Sequence, residues 1–174
     1  MMPPQSSFVE AARLDGTVWL RVIGRGTVAV SSGFKSFIQT MLDEGEKRFI
    51  VDLLDCEIMD STFMGTLASV ALKILKLDGG EIEVINANDR NASLLGNLGL
   101  TQIFKVRHVG DPASPTAPDR EQMESAAADA DCKKEAKRAA LSAHETLVEL
   151  NSSNASRFRD VVDYLRESAK RDHS

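Results

Sequence analysis

Between Phe49 and Leu77 the chain changes hydrophobic period across one short polar turn. Phe49-Ile50-Val51-Asp52-Leu53-Leu54 is an apolar run of strand length. Leu67, Ala68, Val70, Ala71, Ile74 and Leu75 then form a segment that is apolar almost all round, broken only by Lys73 and Lys76. Such a segment reads as a deeply buried helix. Its two lysines lie near the C-terminal end, where the helix dipole favours cations. A buried strand feeding a buried helix needs layers of both kinds, so the chain reads as α/β.

Asp60-Ser61-Thr62 stands at the joint. Backbone N–H groups lack partners at a helix start, and the positive end of the dipole lies there. Ser61 therefore has two readings. It is a helix N-cap, as serine commonly is. Or it is a hydroxyl placed where a phosphate does little damage to the fold.

The neighbouring segments alternate in the same way. Phe8–Ala11 is a weak first strand, Asp15-Gly16 a tight-turn dipeptide, and Val18–Ile23 a stronger strand broken by Gly24 and Gly26. Phe34, Phe37, Ile38, Met41 and Leu42 recur at helical spacing and place a helix from Val28 to Glu44, with Gly45 as its stop. Glu81–Ile85 is a further strand. Asn88 caps a short helix carrying Leu94, Leu95 and Leu98, and Ile103–Val106 is the last strand. This order predicts a mixed sheet of about five strands, with a hairpin supplying the antiparallel part and βαβ crossovers the parallel part.

Gly110 to Pro118 holds three of the five prolines and reads as an extended linker. Beyond it the chain is rich in Ala, Glu and Lys, with acidic residues first and Lys133, Lys134, Lys137 and Arg138 later. Ala136, Ala139, Ala140, Ala143, Leu147 and Leu150 make a narrow apolar stripe. After a turn at Asn151–Asn154, Phe158, Val161, Val162 and Leu165 make another. The pattern predicts a helical hairpin. Two helices alone bury little surface, so the hairpin packs on the domain, binds a partner or self-associates as a homo-oligomer. The expected organisation is a domain over 7–109, a linker over 110–118 and a helical extension over 119–174.

Composition narrows the function. Hydrophobic residues make up 43 % of the chain, as in globular proteins. The net charge is −5, with both signs interspersed and no basic stripe, which argues against nucleic-acid binding. No apolar run approaches the roughly 20 residues that span a bilayer. The first residues, Met1-Met2-Pro3-Pro4-Gln5, do not read as a signal peptide, so a cytoplasmic location without membrane contact is expected. Cys56 and Cys132 read as two free thiols. His108, His144 and His173 lack ligand spacing, so neither metal nor cofactor is expected. Enzymatic motifs are missing too. There is no Walker-type loop and no Gly-x-Ser-x-Gly around Ser61. Asp55, Glu57 and Asp60 read as a solvated turn, with no nearby His or Lys to complete an acid–base set, and no catalytic residue is expected.

The segment Ile50 to Gly65 resembles the core motif of STAS domains, the family of bacterial anti-sigma factor antagonists and of the cytoplasmic domains of sulfate transporters. In that motif a hydrophobic strand and a short acidic turn lead to Asp-Ser-Ser/Thr-Gly-aliphatic-Gly at a helix start. Gly79-Gly80, the strand at Glu81–Ile85 and the pair Gly99-Leu100 follow in the family's order. The resemblance implies an anti-sigma factor antagonist in a partner-switching circuit. Its unphosphorylated form would bind an anti-sigma factor that is also a serine kinase of GHKL type. Phosphorylation at Ser61, with Thr62 as second choice, would weaken binding, and a PP2C-type phosphatase would restore it. Partner contacts would come from Asp60, Ser61, Thr62, Phe63 and Met64, and from Gly24 and Arg25. The alternative is a constitutive scaffold in a stress-signalling assembly, with Ser61 only a cap and the helical tail driving oligomerisation. The chain departs from the pattern twice. Phe63 stands at the usual glycine, and Gly24-Arg25-Gly26-Thr27 stands where many relatives have Gly-Glu-Leu-Asp.

Overall fold

The computed structural model describes residues 6–128 and 133–172. β1 (Phe8–Leu14) and β2 (Thr17–Gly26) form an antiparallel hairpin. Its turn is Asp15-Gly16, with φ of 52° and 75° at the two residues, as a two-residue hairpin loop requires. α1 (Val28–Asp43) leads to β3 (Arg48–Asp52), which lies parallel to β2. β4 (Cys56–Met59) leads to α2 (Ser61–Leu75). β5 (Glu81–Ala87), α3 (Asp89–Asn97) and β6 (Lys105–His108) complete the βα alternation, each strand parallel to its neighbour.

Among the described residues the sheet has seven strands in the order β6-β5-β3-β2-β1-β7, with β4 paired to the end of β2. Two of these strands lie outside the sequence-based expectation. β4 occupies the expected acidic turn, where it pairs in parallel with Gly24–Gly26. β7 (Glu124–Ala128) falls inside the stretch expected to be helical. It pairs antiparallel with β1, which would otherwise be a bare sheet edge. That pairing overrides the helical preference of an alanine-rich run.

Alternation along the strands fixes the two faces of the sheet. Val9, Val18, Leu20, Val22, Phe49, Val51 and Val84 share one core with Val30, Phe34 and Ile38 of α1 and with Phe63, Leu67 and Ile74 of α2. On the opposite face Arg21 and Asp52 are neighbours on adjacent strands. Their ion pair closes at 3.1 Å. Arg21 Nη2 also donates to the carbonyl oxygen of Pro118 at 3.1 Å. The chain must pass from β6 at one edge to β7 at the other, so the proline segment crosses this second face as a strap.

α4 (Lys133–Leu150) and α5 (Ser152–Arg171) form the expected helical hairpin. It packs on the domain, with α4 against both α1 and α2. Leu147 and Phe158 join the main core, and Val148 and Leu150 pack against it. Asn154, at the start of α5, is fully buried. Its Nδ2 donates to the carbonyl oxygens of Leu98 at 3.0 Å and Leu147 at 2.9 Å. One side chain thus ties the hairpin to itself and to the segment after α3. No described helix is long and apolar enough to cross a membrane.

Candidate functional site

Asp60 joins β4 to α2 in an extended conformation, φ −91° and ψ 172°. Its Oδ1 accepts from the Phe63 N–H at 2.8 Å, and its Oδ2 from the Val28 N–H, the first residue of α1, at 3.1 Å. Its own N–H donates to the Gly26 carbonyl oxygen at 2.9 Å. One carboxylate therefore meets two helix N-termini, where negative charge is favoured. This corrects the reading of Ser61 as N-cap: Asp60 caps α2, and Ser61 is its first helical residue.

The Ser61 hydroxyl finds its partner elsewhere. Its Oγ lies 2.8 Å from Nε2 of His144, on α4. His144 is buried, and its Nδ1 lies 2.6 Å from the carbonyl oxygen of Ala140. A carbonyl only accepts, so Nδ1 carries a proton, and in the neutral ring Nε2 accepts from the Ser61 hydroxyl. Phe158 of α5 presents its ring to the imidazole at 5.1 Å between centroids. The sequence-based statement that no histidine lies near Ser61 is thus corrected: the fold brings one from 83 residues away. A signal for it existed. His144 falls four residues after Ala140 and three before Leu147, on the apolar stripe of α4. The imidazole is oriented by a helix carbonyl and a phenyl ring and lies in a helix–helix seam.

The other candidate residues divide. Gly24 and Arg25 lie at the end of β2 beside β4, so they come to the same corner as Asp60 and Ser61. Arg25 is exposed, and its N–H donates to Ser7 Oγ at 3.0 Å. Gly24 is buried, and so are Thr62, Phe63 and Met64. Phe63 is fully inside, tilted against Phe34 at 5.0 Å between ring centroids. A Cβ at Gly26 would stand 2.9 Å from Cδ1 of Phe63 and 3.0 Å from Cγ of Met59. The phenyl ring therefore fills the space that a side chain at position 26 would need.

α4 lies on α2 at backbone contact. A Cβ at Gly65 would overlap the Ala143 carbonyl group and stand 2.8 Å from the Ala143 Cβ. A groove at this seam, about 310 Å³, is lined by residues of α1, α2 and α4, among them Lys35, Ser69 and Arg138. Burial, and then the neighbouring Lys73, push the Lys35 ammonium below its ordinary value. On the other side of the site, burial pushes the Cys56 thiol up to about 11. Cys132 and His173 lie outside the described residues.

Comparison with known proteins adds the family. The STAS domain model matches residues 8–113. A putative anti-sigma factor antagonist from Thermotoga maritima is similar in structure, with a TM-score of 0.52 and 21 % identity over 56 % of this chain and 83 % of that one. The anti-sigma factor antagonist SpoIIAA in its unphosphorylated form gives a TM-score of 0.48 and 15 % identity, over 65 % of this chain and 92 % of that one. A sulfate transporter family protein from Wolinella succinogenes gives 0.44 and 18 %, over 55 % and 80 %. No curated protein matches the sequence significantly.

Proposed function

The chain belongs to the STAS domain family, and from that premise we propose that it is an anti-sigma factor antagonist of a bacterial partner-switching circuit. Its partner is an anti-sigma factor that doubles as a serine kinase of GHKL type, and a PP2C-type phosphatase reverses the modification. The observation that carries this reading is the place of the Ser61 hydroxyl. It stands on the first residue of α2 without capping that helix, because Asp60 already does so. Modification at Ser61 therefore leaves the cap in place.

A phosphate adds about −1.5 to −2 charges and three acceptor oxygens. At a helix N-terminus that charge is tolerated by the fold. An apposed surface shaped for a neutral hydroxyl is repelled, the more so beside the Asp60 carboxylate. Partner contact comes from Ser61, Asp60 and Arg25 at this corner, and the buried Gly24, Thr62, Phe63 and Met64 support it from inside. Mass spectrometry of the protein isolated from its native cell tests the proposal. Phosphate on Ser61 in a fraction of molecules supports it. A chain never phosphorylated there under any growth condition leaves the constitutive scaffold, a reading favoured by the cover that α4 places on the hydroxyl.

A further inference from the structure

The surface that carries Ser61 is already occupied. α4 lies across α1 and α2, and Gly65 lets it approach to backbone contact. Ala143, His144 and Leu147 are all buried, and His144 holds the hydroxyl of the half-buried Ser61. α5 closes over α4 through Phe158 and Val162, while its outer face leaves Tyr164 70 % exposed. The hairpin is thus amphipathic, and its apolar side is spent on this one surface. Its anchorage is apolar through Leu147 and Phe158, with one buried polar tie: Asn154 bonds both α4 and the Leu98 carbonyl. The Asn154 Oδ1 is buried, with no protein hydrogen-bond partner among the described residues.

We propose that the α1–α2 face is a helix-docking surface whose resident occupant is this chain's own α4–α5 hairpin, and that a partner reaches Ser61 only by displacing it. The competitor this surface fits is a helix with small residues, like Ala139, Ala140 and Ala143, that can lie against Gly65. The identity of that competitor rests on the anti-sigma factor reading; the cover itself does not. Closure lowers the apparent affinity for any partner by the fraction of molecules that are open. It shields Ser61 from a kinase by the same factor. Displacement of the hairpin thereby becomes a step that both binding and phosphorylation must pass.

A thiol placed at the site reads the cover without any partner. In full-length protein with Cys132→Ser, Ser61→Cys is compared with Asp89→Cys. Asp89 is the first residue of α3, the equivalent helical position, and is fully exposed. Cys56 stays, buried as it is. Reaction with 5,5′-dithiobis(2-nitrobenzoate) should be at least about tenfold slower at position 61 than at position 89, because it waits for local opening. Asn154→Ala should raise the rate at position 61 by about tenfold or more and leave position 89 unchanged. Leu147→Asp, which opens the seam from α4 itself, should do the same. Equal rates at the two positions overturn the proposal. So does a slow rate at position 61 that neither release variant raises. Binding to a purified GHKL-type anti-sigma factor separates the two ideas. Tighter binding by Asn154→Ala supports the competition, and equal binding by the open and closed proteins overturns it. Absence of any binding by the open protein overturns the functional reading and leaves the thiol result standing.

Discussion

Gly26 and Phe63 share one volume. A Cβ on Gly26 would stand 2.9 Å from the Phe63 ring, and that ring lies in the core against Phe34. In the STAS pattern that the sequence resembles, the first position is leucine in many relatives and the second is usually glycine. The two departures of this chain from that pattern therefore pack against each other, the Phe63 ring filling the volume that a side chain at position 26 would need. This accounts for an aromatic beside Ser61 that does not shield it from outside.

The shared volume predicts a coupling. Phe63→Gly alone leaves a cavity and should cost about 3–5 kcal/mol. Gly26→Leu alone overpacks the corner and should cost about 1–3 kcal/mol. The double variant should cost less than the sum by at least about 1 kcal/mol, since residues in contact do not add. Urea unfolding of the four proteins measures this; strict additivity refutes the coupling.

Arg21 and Asp52 predict a second effect. Asp52 is 2 % exposed at its side chain, and besides Arg21 it accepts from the Leu54 N–H at 2.9 Å and from Asn86 Nδ2 at 3.0 Å. Asp52→Ala strands a buried guanidinium and two donors, and should cost about 3–5 kcal/mol. Arg21→Met with Asp52→Leu should cost clearly less. Because Arg21 also holds Pro118, hydrogen exchange along the strap should quicken in any Arg21 variant. Unchanged exchange near Met123 and β7 would contradict the strap.

Cys56 predicts a pH dependence. Burial raises its thiol from the ordinary 9.0 to about 11. The proton is therefore held more tightly in the folded state. The stability this provides is complete below pH 9 and is lost as pH rises through about 11. Thermal melts between pH 8 and pH 11, compared with Cys56→Ala, should show the wild type falling more steeply. Parallel curves would mean that the thiol is not held neutral by burial.

Much of this was legible in the sequence, and for identifiable reasons. The βα alternation, the Asp15-Gly16 turn and the Asn88 cap rest on local patterns, and each lies where those patterns put it. The corner of Asp60, Ser61, Gly24 and Arg25 was legible because a family motif marks it. What escaped depends on contacts distant in sequence. β7 forms because β1 needs an edge partner, and nothing within Glu124–Ala128 states that. The Asp60 cap overrode Ser61 because its carboxylate also reaches Val28, 32 residues away. His144 meets Ser61 only once α4 has docked. A histidine on an apolar helical stripe was the trace it left.

The central claim is that Ser61 is the switch of a partner-binding surface. Its most direct test is the affinity of a purified GHKL-type anti-sigma factor for wild type, Ser61→Ala and Ser61→Asp, with thermal melts confirming that all three fold. Asp60 keeps the helix cap in every variant, and repeating the series in the Asn154→Ala background separates affinity from the loss of the Ser61–His144 bond. The account predicts that Ser61→Ala binds at least as tightly as wild type and accepts no phosphate from the kinase. It predicts that Ser61→Asp stays folded and binds at least about tenfold more weakly, about 1.4 kcal/mol. Equal affinity of Ser61→Asp and wild type, with no phosphate transferred to wild type, would contradict it.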